Sequence, residues 1–509
     1  MRNGKRPTRL RPPRGTRRKS ERKANTMTKS LFALTLAAAL AGCTTTPTSP
    51  PQLDLPPASA DSASPAALSR WWTAFADPTL DKLIDEAVAN NLDVRAAITR
   101  VETARAQVKL SQADLYPTVD LGVDANRSRA TQAGSNPLPP GFSPYANDYR
   151  VGLQASYEVD LWGKFRTATR AAQSDLVASQ YARETVRTVV AADTARFYFN
   201  LLAADAQLAL FEDTLKTRIQ SVELQTDRYQ AGIIGNYDLR TAEAERASVV
   251  ADIALAKRAV VEFESALTVL LGRSPREVFA PQLARDVAMA RLTAVPTLPP
   301  GLPSDLLARR PDIRQAEAQL AAANMRIDVA RADYFPAVSL TGLFGTEAGA
   351  LRSLFSGPAL IWSIGASLAQ PLIGLKAIEA NVDAKTAQRN ELIVAYTKTV
   401  QGAFHDAHDA LSANETTRAA LAAQTERMDK LSQVLELSDL RYRAGYSPYL
   451  EVLDAQRQLL LAQTQQIIAA RNVRLAVVDI AKALGGGWEY EAAVERPNAL
   501  VGAGSGIAR

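Results

Sequence analysis

Three groups of residues in this 509-residue chain are of types that could do chemistry. The first is the lone thiol Cys43, which closes the run Leu40-Ala41-Gly42-Cys43. One cysteine cannot form an internal disulfide, but behind a short apolar run its sulfur can take a thioether-linked lipid and its amine an acyl chain. The second is the pair His405 and His408, the only histidines, three positions apart in a helical pattern. Such a pair can bind zinc, but no cysteine joins it, and the flanking Asp406 and Asp409 make a solvated polar patch. The third group is acidic. Asp238 opens one helical pattern, while Glu451 and Asp454 lie one turn apart on a single helix face after a turn. Carboxylates so placed act through their field, by favouring the helix dipole or by ringing a passage for cations. With no P-loop, nucleophile elbow or dinucleotide fingerprint in the chain, an enzyme is disfavoured and no cofactor is expected.

The net charge of +6 suggests a nucleic-acid partner until it is located. Residues 1–26 hold 11 Lys/Arg and one acid, a local +10, so the remainder carries 6 − 10 = −4. This basic leader reads as disordered or as mis-assigned coding sequence rather than a nucleic-acid arm, with Met27 as the translation start. Residues 27–42 read as a signal peptide, because the apolar run from Leu31 to Leu40 is shorter than the ~20 residues a bilayer span requires. Residues 43–67, rich in Pro, Ser and Thr, form a tether.

The elements that must position these groups come in two copies. Arg228-Tyr229-Gln230-Ala231-Gly232 separates two long helical patterns, and Arg441-Tyr442-Arg443-Ala444-Gly445 does so again 213 residues later. Each reads as the tip of a helical hairpin, with Gly232 and Gly445 in the left-handed conformation that closes a helix. Asn236 is the expected N-cap of the first return helix, and Ser447 with Pro448 the expected N-cap and first position of the second. The first repeat is expected over 68–272 and the second over 305–485, joined by a Pro-rich linker, 273–304, and followed by a tail, 486–509. Asp312-Ile313-Arg314 answers Asp93-Val94-Arg95 at an offset of 219, as Tyr334-Phe335-Pro336 answers Leu115-Tyr116-Pro117.

The outgoing helix of the first hairpin has no breaker between Gly163 and Gly232, so it is about 100 Å long at 1.5 Å per residue. Leu201, Leu208, Leu215, Val222 and Tyr229 recur every seven residues, the period of side-by-side coiled packing. The return helix is about half as long, so the 24-residue helix ending at Leu115 is expected to stack on its end. Apolar and polar residues alternate in strands expected near 118–128, 149–161, 337–346 and 361–372, each about the length of a tilted membrane strand. A purely structural periplasmic coiled coil would need no such strands. Open strand edges cannot lie in lipid, and four strands cannot close around a pore, so subunits must pool theirs; a cyclic trimer supplies 3 × 4 = 12.

At Tyr157-Glu158-Val159-Asp160-Leu161-Trp162-Gly163, at Gly301 to Ile313, at both Arg-Tyr-x-Ala-Gly turns and at Leu453-Asp454-Ala455-Gln456, the chain resembles the TolC-type outer-membrane efflux proteins, in their NodT/OprM-like lipoprotein subgroup. The resemblance runs from Trp71 to about Trp488. It implies an α+β membrane protein, a homotrimer with a 12-stranded β-barrel, four strands per protomer, that continues into a long helical tunnel across the periplasm. The implied function is the exit duct of a tripartite efflux system, taking small toxic compounds or drugs from an inner-membrane pump, of RND type, through a periplasmic adaptor. Type I protein secretion and heavy-metal efflux are the alternatives. By the same resemblance Asp238, Tyr442, Leu450, Glu451 and Asp454 belong to a periplasmic gate, while Arg228, Gly232, Arg441 and Gly445 form the adaptor-docking tips. Ser447 stands where the family places a basic member of the contact set that holds the gate shut. Thr44 after Cys43 favours sorting to the outer membrane, as in bacterial lipoproteins.

Cys43→Ala protein expressed in cells fed labelled fatty acid should lose the label that the wild type carries. Equal labelling would end the lipid-anchor reading.

Overall fold

The computed structural model describes residues 69–131, 133–134, 138–139, 141–281, 283–285 and 310–487. The leader, the signal segment, Cys43, the tether, much of the linker, Gly301 to Arg309 and the tail from 488 lie outside the described residues. No helix among those described is long and apolar enough to cross a membrane.

A 3-10 turn, Trp71–Phe75, leads into α1, Pro78–Asn90, and α2, Leu92–Ala113. Strands β1, Thr118–Arg129, and β2, Tyr145–Glu158, come next, and then the 67-residue helix α3, Lys164–Gln230. Helix α4, Asn236–Leu270, returns from its tip, and a short α5, Pro275–Phe279, closes the first repeat. The second repeat has α6, Pro311–Ala332, strands β3, Ala337–Ala348, and β4, Leu360–Ala369, the 69-residue α7, Leu375–Arg443, and α8, Tyr449–Ala483.

A long helix can bury a continuous stripe only against something equally long, and α4 is 35 residues. The missing length comes from α2, stacked on the end of α4 through one side chain. Asn91 Oδ1 accepts from the backbone N–H groups of Asp93 (2.8 Å) and Val94 (3.2 Å), which caps α2, while its Nδ2 donates to the Leu270 carbonyl (2.9 Å), which caps α4. The amide therefore satisfies orphan groups of two helices at once. Arg310, the matching residue at offset 219, does the second-repeat job differently: its Nη1 donates to the Ala483 carbonyl at the end of α8 (3.0 Å), and its other donors hold Asp312 and Asp406. Asp406, grouped in the sequence with the histidines, is thus partner to Arg310.

The core where the repeats meet is built on aromatic anchors. Trp71, Trp72 and Phe75 are buried against Tyr198 and Phe199 of α3, with the Phe75 and Phe199 rings 5.0 Å apart. The Tyr198 hydroxyl donates to Asp77 (2.7 Å), whose other oxygen caps α1 at Thr79 and Leu80. Both oxygens of the Asp77 carboxylate thereby accept hydrogen bonds, which a buried carboxylate needs in order to stay there.

The four strands form one antiparallel sheet in the order β1-β2-β3-β4. Register sorts the side chains into two unlike faces. Leu121, Leu153, Phe344 and Trp362 lie opposite one another across all four strands. This apolar row is bare: Leu121 is 68% and Trp362 69% exposed. Three residues on, and so on the other face, Asp124, Arg150 and Glu347 line up across three strands, with Arg150 bonded to Glu347 at 2.7 Å. A sheet with an uncovered apolar face and a paired-charge face suits lipid outside and water inside.

The second strand departs from the range expected. It runs over Tyr145–Glu158 rather than 149–161, because Asp160 folds under the start of α3 to accept from the backbone N–H groups of Phe165 (3.3 Å) and Arg166 (3.0 Å). At its other end β2 starts at Tyr145, four residues ahead of the expected 149. Trp162 in the same motif donates to the Pro336 carbonyl (2.7 Å) and stacks on Phe335 at 4.8 Å, tying the exit of one strand pair to the entry of the other.

The pairing of β2 with β3 joins the repeats, and it depends on Gly152 facing Gly345. A Cβ on Gly345 would sit 2.3 Å from the Val151 carbonyl oxygen, whereas one on Gly342 would meet only the Ala155 Cβ at 3.7 Å. Gly345→Val should therefore abolish assembly, scored as loss of the oligomer and of the infrared sheet band, and Gly342→Ala should keep both. Normal assembly of Gly345→Val would show that the strands do not pack this closely.

Candidate functional site

Both hairpin tips close in the same way. Gly232 and Gly445 have φ of 71° and 77°, and the next residues, Ile233 and Tyr446, donate back to the carbonyls of Arg228 and Arg441 at 2.9 Å. Neither glycine has a heavy atom within 4 Å of where its Cβ would be, so backbone conformation alone selects glycine here. The return helices start one residue away from where their capping residues suggest, α4 one earlier and α8 one later. Gly235 and Pro448, not Asn236 and Ser447, hold the N-cap positions of α4 and α8, and the Ser447 hydroxyl has no hydrogen-bond partner among the described residues.

Above the tips, the core between helices turns polar. Leu201 is buried, but farther along the same column Tyr229 is 44% exposed. The column three positions on takes over, and there the buried residues are Arg218 and Gln225, seven apart. Arg218, about 21 Å from Gly232 along the helix, is only 3% exposed. One Nη donates to the side-chain Oε1 of Gln456 and the other lies 3.8 Å from Glu245 of α4. Arg457 of α8 donates to the same Glu245 through Nε (2.9 Å) and a second nitrogen. One carboxylate thus serves two guanidiniums and ties α3, α4 and α8 together. Burial holds Arg218 below the usual guanidinium range, while the hydrogen bond to Glu245 raises Arg457.

Nearer the tip, Tyr442 is the meeting point of the two hairpins. Arg228 Nη1 and Gln225 Nε2 of α3 both donate to its hydroxyl, the latter at 3.4 Å, and the Arg228 guanidinium lies 5.0 Å from its ring centroid. Tyr449, Leu453 and Ala242 pack beneath it. Burial pushes the Tyr449 hydroxyl up from its ordinary range. The structure therefore joins Arg228, which the sequence groups with the outer tips, to Tyr442 of the gate set. Glu451 faces Arg441 across its own hairpin at 3.5 Å. Asp454 and Leu450 are exposed, and Asp238 makes no hydrogen bond or ion pair among the described residues. Within Leu453-Asp454-Ala455-Gln456, Leu453 and Ala455 are buried, Gln456 receives Arg218 and Asp454 alone points out of the packing.

Arg218, Glu245, Arg457 and Gln225 are missed when the sequence is read for acids and turns. Their signal is two successive polar residues, Arg218 and Gln225, in a heptad column that holds Ala204 and Phe211 farther up. His405 and His408 are 72% and 82% exposed and reach only Asp409, at 3.5 Å each.

The chain matches the family model described as "Outer membrane efflux protein" over residues 83–273 and 302–486. It is 35% identical over 414 residues to the solvent efflux pump outer membrane protein SrpC of Pseudomonas putida, covering 81% of this chain and 86% of that one. To the toluene efflux pump outer membrane protein TtgC of Pseudomonas putida it is 34% identical over 498 residues, covering 92% of this chain and all of that one. Among solved structures, the CmeC outer membrane channel of Campylobacter jejuni superposes with a TM-score of 0.81 at 28% identity, over 89% of this chain and 97% of that one. The strand meander with its bare apolar face, the long duplicated hairpins and these matches agree: the chain belongs to the outer membrane efflux protein family, as an outer-membrane channel of an efflux pump that reaches into the periplasm.

Proposed function

We propose that three copies of this chain close a 12-stranded barrel and a helical tunnel that carry small toxic compounds from a periplasmic adaptor and an RND-type inner-membrane pump to the outside. The observation that supports this most is the four-stranded sheet itself. Its apolar face is bare and both its edge strands end in unpaired backbone, each unpaired group costing several kcal/mol in lipid, so copies must complete it. The cargo is read from relatives that export solvents and toluene. Protein secretion and heavy-metal efflux remain the alternatives, and the adaptor engaged at the tips decides among them. Cys43 carries the lipid that holds the chain in the outer membrane beside the barrel. No enzyme chemistry and no cofactor enter this scheme, since a conduit needs only a passage and a gate.

At the gate, Tyr442 with Arg228 and Gln225 latches one hairpin to the other, and the Glu245 clamp stiffens the helices above. Exposed Asp454, with Asp238, supplies the field that reaches the passage, whereas Glu451 is offset by Arg441. The exposed tips, with Gly232, Arg441 and Gly445, take the adaptor.

Detergent-solubilised protein should have the mass of three protomers by light scattering, and in planar bilayers it should pass cations in preference to anions. Asp454→Ala should reduce that preference and the block by a trivalent cation more than Glu451→Ala does. A folded monomer, or equal selectivity of both variants and the wild type, would contradict the reading. Glu245→Gln leaves a buried guanidinium short of its anion. Amide hydrogen exchange over 215–230 and 450–460 should then quicken about tenfold, or ~1.4 kcal/mol, with the strands unchanged. Unaltered exchange there would remove the clamp from the gate.

A further inference from the structure

The outward end of the sheet carries a charge that nothing among the described residues neutralises. In β1 the residues of the bare apolar face are Val119, Leu121, Val123 and Ala125, and the next two positions of that face are Arg127 and Arg129. Tyr145 of β2 lies directly opposite Arg129 in the register, on the same face. Both guanidiniums sit over its ring, with their carbons 5.5 Å and 5.6 Å from the centroid. Two like charges are thus gathered on one aromatic ring, and neither makes an ion pair or hydrogen bond among the described residues.

The sequence shows that no carboxylate is near in the chain. Between Asp124 and Asp148 there is no Asp or Glu, and between Glu347 and the end of β4 there is none either, while Arg352 adds a further cation in the turn joining β3 to β4. Asp124, Asp148 and Glu347 have the parity of the opposite face, where Arg150 is bonded to Glu347 and lies 4.0 Å from Asp148. Unlike that matched inner row, the outer arginines face away from any passage.

Depth decides what they face. The strands meet helices at one end only, so the Arg129–Tyr145 end is the one remote from the periplasm. At about 3.3 Å per residue and a tilt near 40°, the climb from Val119 to Arg127 is ~20 Å, which puts the pair at the upper border of an apolar band about 25 Å tall. An aromatic ring at that level is an interfacial anchor, and guanidiniums beside it meet headgroups, for whose phosphates their paired donors are suited.

We propose that Arg127 and Arg129, held by Tyr145, bind the phosphate of a phosphorylated lipid in the outer leaflet. The apolar row beneath, from Leu121 to Trp362, accommodates the acyl chains of the same molecule. The site rests on the barrel placement proposed above.

The test uses the assembled protein in detergent, titrated by native mass spectrometry with three probes. These are a bisphosphorylated glucosamine disaccharide lipid, its dephosphorylated form with the same acyl chains, and sodium phosphate. Wild type should bind the bisphosphorylated lipid at least tenfold more tightly than the dephosphorylated one, and sodium phosphate at equal concentration should not displace it. Arg127→Ala/Arg129→Ala should lose that preference about tenfold, and Arg127→Lys/Arg129→Lys should retain part of it. No preference in the wild type, equal preference in the alanine variant, or displacement by sodium phosphate would each overturn the lipid site. Bilayer conductance of the same samples reads the channel separately: conducting protein without lipid preference sinks only this inference, and wild type without conductance sinks the channel reading.

Discussion

A helix of 67 residues imposes one constraint on everything beside it, because a stripe ~100 Å long must be covered and no single return helix of this chain is long enough. The chain meets it by abutting two shorter helices, which brings four unsatisfied carbonyls and four unsatisfied N–H groups face to face at a joint. Asn91 settles the first joint with one amide, acceptor on one side and donor on the other. At the equivalent joint Arg310 uses a guanidinium that caps α8 and is itself anchored by Asp312 and Asp406. Duplication preserved the mechanical requirement while the chemistry that satisfies it diverged.

The passage from sheet to helix is where the second constraint lies. The strands must leave lipid and become helices within a few residues, with no backbone group stranded at the boundary. Asp160 receives the first N–H groups of α3, Trp162 reaches the Pro336 carbonyl, and Lys164 pairs with Asp333 at 2.8 Å. Residues that look like an arbitrary signature are thus the hinge plate of the two repeats.

The fold was legible where periodicity and breakers coincide. The tip glycines, the seven-residue column and the alternating strands are all local patterns, and the end-to-end stacking followed from comparing helix lengths. What could not be read was which polar residues turn inward. Arg218 and Gln225 are ordinary surface types whose burial is set by the register of α3 against α8, and Glu245 acquires its two partners from α3 and α8, 27 residues before it and 212 after it. The end of the second strand is hidden from the pattern because Asp160 continues the alternation while serving the helix that follows. The turn Arg-Tyr-x-Ala-Gly places Arg228 at the tip, and its contact with Tyr442, 214 residues away, is not visible in that local pattern.

The single ladder between β2 and β3 has a consequence for the order of events in folding. Strands β1 and β2 are joined by a 15-residue loop, and β3 and β4 by an 11-residue one, so each pair can zip at once. The Arg150–Glu347 contact spans 197 residues and Arg326–Asp175 spans 151. Closing such loops costs chain entropy that grows only logarithmically with length, but it must be spent before any of these contacts forms. The strand hairpins are therefore the local contacts of this fold and the joining of the halves its non-local one, made at the close approach of Gly152 and Gly345.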